Sequence, residues 1–508
     1  MSPDTDMLLF NGETARRDRI PVVGMDDFRE AVLMTTEGGD RLLSLFGCPV
    51  EGAQTVRLHA VLGAADSGGY SLVATDVGDR YPALTPECAQ AHLFEREIAE
   101  QWGVVPEGHP WLKPVRCHRS HRPGADAWGR GPAEPMQPGG TDFFEVRGEE
   151  VHEVAVGPVH AGIIEPGHFR FQCHGENVMH LEVALGYQHR GIERALSGGP
   201  TPRTVHHMET LAGDTTIGHA LAYCQALESL AGGAVSVRAE ELRGVALELE
   251  RLANHTGDLG ALAGDVGYLP TASFCGRLRG DWLNMTALAC GSRFGRGWVR
   301  PGGLGFDLDH AGCDELLERL DGTFRDVKGA VELLWDTPSV MARLEETGAL
   351  TPALCERLGL VGPPARACGI KRDVRFEYPS GIFRFFNMPV ATWHTGDVFA
   401  RAYVRWEEIN HSVTFIRERL SNLSAGEVLR PVGPLAPNAV TVSLVEGWRG
   451  EICHTVLTDG GGRIAAYKIV DPSFHNWMGL AMALRDQQIS DFPLCNKSFN
   501  LSYCGHDL

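Results

Sequence analysis

Residues 117–141, CHRSHRPGADAWGRGPAEPMQPGGT, hold so much Pro, Gly and Arg that they cannot offer an apolar face to a core. A stretch of that kind divides a chain. It separates residues 1–116 from residues 142–508, with 117–141 as the linker. Both flanking units are long enough to bury cores of their own.

In the first unit, strand-like runs (TVRLHAVLG, SLVATDV) alternate with helix-like runs (MDDFREAVLMTT, CAQAHLFEREIAEQW). That alternation predicts a small α/β or α+β domain. The second unit opens with extended segments, FFEVRG, VHEVAVGPV and HFRFQCHG, separated by turn residues and read as hairpins. The pattern then becomes helical over 204–232 and over 238–262, where Leu242, Val245, Leu249 and Leu252 share one face. Further helices are expected at 314–348 and 397–424. A second extended region spans 438–470, with Asp459 and the three glycines after it as a hairpin turn. The expected class is α+β: a small N-terminal α/β domain, then a mainly helical domain with peripheral antiparallel β-hairpins.

Charge and cysteine spacing remove several functions. A formal net charge of -19 argues against nucleic acid and against adsorption to anionic lipid. The opening MSPDTDMLLFNGET lacks a basic n-region and a long apolar core, so no secretory signal is expected. No run reaches the roughly 18 to 20 apolar residues of a membrane span. A cytoplasmic chain is expected, with membrane association only through partners. The 13 cysteines contain no C-x-x-C pair, which argues against zinc ribbons and iron–sulfur loops and for buried reduced thiols. No G-x-G-x-x-G follows a strand, so NAD, if involved, is bound by another subunit.

Three segments carry a family resemblance. HLFEREIAEQWGVVPEGHPWLKPVR (92–116), with Glu95, Arg96, Glu97, Trp102, Gly103, Gly108, His109 and Pro110, resembles the signature of the small hydrophilic (30-kDa) subunit of complex I. GPVHAGIIEPGHFRFQCHGENVMHLEVALGYQHRGIERAL (157–196) is similar to the N-terminal part of [NiFe]-hydrogenase large subunits and of the quinone-facing core subunit of complex I. ELERLANHTGDLGALAGDVGY, GPPARACGIKRDVR, GDVFARAYVRWEEI and EGWRGE follow in the order of that superfamily. The resemblance spans nearly the whole chain and implies two fused complex I subunits, as in energy-converting hydrogenases of the formate hydrogenlyase type.

The resemblance also says where a nickel–iron centre would sit. Four thiolates come from R-x-C-G-x-C-x-x-x-H and D-P-C-x-x-C motifs. Here the first aligns with TLAGDTTIGHA, so the cysteine positions become Ala212 and Thr215 while His219 persists. The second aligns with DPSFHNW: Asp471 and Pro472 persist, and Ser473 and Asn476 replace the cysteines. No metal is expected there, since soft thiolates are what select nickel and iron. His219 and His475 are expected to face each other across the site, as hydrogen-bonded core groups, as a proton relay, or around a weakly held hard ion. The residues after Asn476 are expected to form ordered structure.

Complex I has a quinone cavity in the same space, lined by a hairpin histidine and a tyrosine. His160, or less favourably His168, matches the histidine, whereas the tyrosine position falls at Gly213. Glu193, in R-G-x-E with Arg190, matches the glutamate that passes protons in hydrogenases; the alternative is a buried ion pair with a local arginine. Glu248 with Arg251, Asp373 with Arg375, and Asp397 with Arg401 and Arg405 read either as a relay toward membrane subunits or as interdomain salt bridges. Glu193, His219, His160 and Asp471 are thus the candidates for a proton relay or acceptor pocket, and Arg190, Asp373, Arg375, Asp397 and Arg401 for coupling.

The resemblance implies a core subunit of a complex-I-like, energy-converting oxidoreductase, peripheral on the cytoplasmic face of the membrane. Its implied partners are an iron–sulfur small subunit, which carries the clusters, and proton-translocating membrane subunits. Quinone is a possible ligand, and no cofactor is expected on the chain itself. Two alternatives stay open: an NADH–quinone oxidoreductase subunit that reduces quinone, and a non-catalytic scaffold.

Overall fold

The computed structural model describes residues 7–508 apart from 51, 132, 133, 135 and 163. The first six residues of the N-terminal stretch and three linker positions therefore lie outside the described residues.

The N-terminal elements are β1 (Leu9–Phe10), β2 (Thr14–Arg16), α1 (Met25–Glu37), β3 (Leu42–Pro49), β4 (Val56–Ala64) and β5 (Gly69–Val77). The antiparallel sheet runs β1-β5-β4-β3, and α1 buries Phe28 and Val32. Short β6 (Arg80–Pro82) and β7 (Val105–Glu107) pair in parallel around α2 (His92–Trp102). Helix α2 buries three carboxylates because each has donors waiting. Glu95 accepts the backbone N–H of Leu84 (2.7 Å) and Thr85 (2.9 Å). Glu100 accepts those of Arg116 (2.9 Å) and Cys117 (2.7 Å). Glu97 binds Lys468 (2.6 Å) and Arg116. Helix α2 ends at Gly103, where φ is +63° and an added Cβ would lie 2.7 Å from Ala125.

Residues 117–141 hold no helix or strand among those described. FFEVRG also forms no strand, contrary to expectation. Its N–H groups are taken by side chains: Phe144 by Glu182 (2.9 Å) and Val146 by Gln172 (3.4 Å). The hairpin sheet consists of β8 (Val151–Val156), β9 (His168–His174) and β10 (Asn177–Ala184), in the order β10-β9-β8.

The run 204–232 splits into α4 (Thr204–Met208) and α5 (Thr216–Leu230), after a one-turn α3 (Ile192–Ala195). Helices α6 (Val237–Asp265) and α7 (Leu269–Cys290) pack on each other. Helix α7 was not anticipated, since its glycines and arginines leave no clean apolar stripe in the sequence. The pair β11 (Val299–Arg300) and β12 (Gly303–Leu304) precedes α8 (His310–Trp335) and α9 (Pro338–Leu344). The expected helix 314–348 is two, because Pro338 cannot continue a helical ladder. Then come α10 (Pro352–Leu358), α11 (Gly362–Ala367), α12 (Val374–Glu377) and α13 (Val398–Ser421).

Strands β13 (Ala439–Gly447), β14 (Gly450–Thr458) and β15 (Ile464–Val470) lead into α14 (Pro472–Ala483), α15 (Phe492–Phe499) and α16 (Tyr503–Asp507). The α+β class is as expected. The hairpin sheet β10-β9-β8 is peripheral, but β15-β14-β13-β2 is interior: every residue of β13 and β14 is buried. The reason is a crossing of the two units. Strand β2 pairs with β13, α5 packs on the sheet, and β3 lies against β15. The two units share core side chains there, with Phe94 against Phe474 at 5.0 Å between ring centroids. No helix among the described residues is long and apolar enough to cross a membrane.

Candidate functional site

The loop before α5 and the first turn of α14 meet at the centre of the larger unit. Asp471 caps α14 by accepting the Ser473 N–H (2.8 Å). Its other oxygen lies 3.0 Å from Nε2 of His219, on the first turn of α5. Nδ1 of His219 lies 3.1 Å from Nε2 of His454, and Nδ1 of His454 lies 2.8 Å from the Tyr467 hydroxyl. All four groups are buried. One proton arrangement satisfies every bond: Tyr467 O–H donates to His454, His454 Nε2–H to His219, and His219 Nε2–H to Asp471. Burial and the neighbouring His219 hold His454 far below the usual imidazole range, so it is neutral. Burial alone would raise the Asp471 carboxyl; the His219 bond, the Arg449 charge and the Ser473 side chain outweigh it and leave it below the usual range.

The four positions that bear cysteines in hydrogenases have different partners here. Ala212 has no donor atom and is fully buried. The Thr215 oxygen accepts from Arg449 (3.2 Å), and the Ser473 oxygen accepts the Ser502 N–H (2.8 Å). The Asn476 amide exchanges two bonds of 3.0 Å with the backbone of Val361. The C-terminal tail is pressed into the intervening space: a Cβ at Gly505 would lie 2.6 Å from the Asp471 carboxylate. No thiolate stands at these positions, and the hard oxygen and amide donors present are already engaged. This donor set does not fit a nickel–iron centre.

Beside that point a cavity of about 440 Å³ opens between α6, α7, the loop 164–165 and the tail. Asp214 and Arg449 form its floor as a bidentate pair of 2.5 and 2.7 Å, with the guanidinium 3.9 Å from the Trp448 ring centroid. Tyr503 lines the wall, its hydroxyl 3.3 Å from Nε2 of His160. Burial pushes the Tyr503 phenol up to about 12. Glu165 accepts the Cys504 N–H (3.2 Å).

The remaining expected residues are dispersed. Glu193 faces Ile469 N–H (2.9 Å), Lys468 (3.1 Å) and Gln101 (3.2 Å), within an ion cluster shared with Glu97 and Arg116, and does not line the cavity. Arg190 ties the pre-α5 loop to the tail, donating to the carbonyls of Thr210, Leu211 and Cys504. Asp373, Arg375, Glu248 and Arg251 fall into one buried lattice. Asp397 caps α13, and Arg401 donates to Ser498 (2.8 Å) and to the carbonyls of Gly348 and Gly396. His475 does not face His219: it packs on Phe94 at 5.8 Å, and its Nε2 has no hydrogen-bond partner among the described residues. His168 lies 3.2 Å from Arg170 Nε, away from Tyr503. Sequence reasoning missed Tyr503, Asp214, His454 and Tyr467. Asp214 sits inside the first motif and was within reach. The other three are brought in by tertiary packing.

Comparison with known proteins places this architecture. The model of the respiratory-chain NADH dehydrogenase 49 Kd subunit family matches residues 265–437 and 429–507. A carbon monoxide-induced hydrogenase of Rhodospirillum rubrum is 31% identical over 352 residues, 69% of this chain and 97% of the relative. Formate hydrogenlyase subunit 5 of Escherichia coli (strain K12) is 28% identical over 439 residues, 83% of this chain and 76% of the relative. NADH-quinone oxidoreductase subunit 4 of Thermus thermophilus is 28% identical over 369 residues, 67% and 90% of the two chains. The chain belongs to the superfamily of nickel–iron hydrogenase large subunits and complex I 49 Kd subunits. It is a complex-I-like oxidoreductase subunit.

Proposed function

We propose that this chain is the core subunit of a membrane-associated, complex-I-like energy-converting assembly and carries no nickel–iron centre. It takes electrons from the iron–sulfur clusters of a partner subunit and delivers them to an acceptor in the 440 Å³ cavity. Proton-translocating membrane subunits couple to that step and hold the chain at the cytoplasmic face. The observation that carries the reading is the pair of motif segments joined by His219 and Asp471 with no thiolate between them and a cavity beside them.

The chain's own residues supply protons. A phenol pushed up to about 12 stays protonated at neutral pH and gives its proton only to a strongly basic oxygen, such as one that has just gained electrons. His160, 3.3 Å away, can restore it. Tyr503 thereby places a phenol beside the hairpin histidine although Gly213 stands at the expected tyrosine position. That arrangement favours the quinone-reducing version over a pure scaffold.

Two measurements on the intact purified complex test the reading. Metal analysis is expected to find nickel far below one atom per chain, and 2-methyl-1,4-naphthoquinone is expected to bind and to be reduced. Stoichiometric nickel, or no binding at saturation, overturns it.

A further inference from the structure

The charged groups lining the cavity differ in their partners. Asp214 is held by Arg449, and Asp258 by Arg405 (2.8 Å) and Asn500 (2.6 Å). Lys497 is held by Asp265 (2.8 Å), and Glu165 accepts the Cys504 N–H. Arg279 lines the same cavity and makes no hydrogen bond or ion pair among the described residues. Its five N–H donors, fixed in one plane, thus have no acceptor among the described residues.

The guanidinium is positioned rather than loose. Its stem lies against Gly257 of α6: a Cβ there would come 2.8 Å from Arg279 Cδ and 3.1 Å from Nε. Phe294 stands beside it on the cavity wall. Arg293 and Phe294 both line the adjoining recess that Arg279 shares. Helix α7 and the loop after it thus bring Arg279 and Phe294 to a cavity that Tyr503 and Glu165 also line.

We propose that the cavity takes a small anionic molecule, a carboxylate, sulfonate or phosphate on an apolar body. Arg279 binds the anionic group, and Phe294 packs on the body. This rests on the acceptor reading above and narrows it. A planar fork of donors recognises a planar or tetrahedral oxyanion in a way that a neutral carbonyl cannot match. An acceptor held by its charge at α7 would turn its other end toward Tyr503.

The test compares two probes on the full chain in its complex by calorimetry: 1,4-naphthoquinone-2-sulfonate, which is anionic, and neutral 2-methyl-1,4-naphthoquinone. The sulfonate is expected to bind more than about tenfold tighter, and sodium sulfate is expected to compete with it alone. Arg279→Gln is expected to remove that preference and leave the neutral probe unchanged. Gly257→Ala, which keeps the charge and displaces the stem, is expected to weaken the sulfonate in the same direction. Equal binding of the two probes, or a preference that survives Arg279→Gln, overturns the inference and leaves the acceptor reading standing. Failure of both probes to bind overturns both.

Discussion

Two buried polar regions lie side by side in this molecule and are built on opposite plans. One is an ionic lattice between α6, α11, α12, α13 and β13. Arg366 bridges Glu408 (2.5 Å) and Glu446 (2.8 Å), Arg375 bridges Asp373 (2.6 Å) and Glu248 (3.0 Å), and Arg251 meets Glu248 (3.0 Å) and Glu408 (3.4 Å). His255 adds a 2.6 Å bond to Glu408. The other is the chain Tyr467–His454–His219–Asp471, a single file of hydrogen bonds that ends on one carboxylate. In the lattice each charge answers to several partners, so a change in one is resisted by the rest. In the file each imidazole donates to one neighbour and accepts from the other, so a proton can enter at one end only if another leaves. The first plan fixes helices in place; the second suits a path beside an acceptor cavity.

The comparison breaks most visibly at the lattice hub. Arg366→Met leaves Glu408 and Glu446 buried without their shared guanidinium. The loss is expected to be about 3–5 kcal/mol of folding stability in urea unfolding, because an uncompensated buried charge costs far more than its pair contributes. A change under about 1 kcal/mol would mean that the lattice is redundant.

The file should give less. His219→Phe keeps the ring volume and removes both bonds, leaving Asp471 with the Ser473 amide and His454 without its acceptor. The expected cost is about 2–3 kcal/mol, with reduction of the cavity probe slowed at every pH. Unaltered reduction kinetics with normal folding would remove the file from the proton route.

How much of this was readable beforehand depends on the range of the interaction. The four vacated cysteine positions and the persistence of His219 and Asp471 are local motif facts and stood in the sequence. So did the polarity of 238–262, where Glu248 and Arg251 share a face. What was not readable is long-range. Tyr503 reaches His160 across 343 residues of chain, and His454 reaches His219 across 235. No periodicity carries such pairings. His475 misled for the converse reason: its place inside a motif suggested the site, but α14 turns it toward Phe94. Helix α7, with Arg279, was missed because glycine and arginine blur its apolar stripe.

The smallest expected effect sharpens the lattice from within. Four carboxylates (Glu248, Asp373, Glu408, Glu446) face three guanidiniums (Arg251, Arg366, Arg375), so one negative charge is left over. Burial, then the charge of Asp373, pushes the Glu446 carboxyl up to about 7 in spite of Arg366, Arg375 and Arg251. Glu408, also buried, is held far below the usual range by Arg366 and Arg251. A carboxyl raised on folding binds its proton more tightly in the native state. Its stabilising contribution is complete below the unfolded value, near 4.5, and fades as pH rises through 7. Glu446→Gln mimics the protonated form and brings the lattice to three against three. The variant is therefore expected to match the parent near pH 5 and to exceed it by about 2 kcal/mol near pH 8, in urea midpoints taken across that range. A variant less stable than the parent at both ends would show that Glu446 is ionised throughout, and that the surplus charge of the lattice is carried by another group.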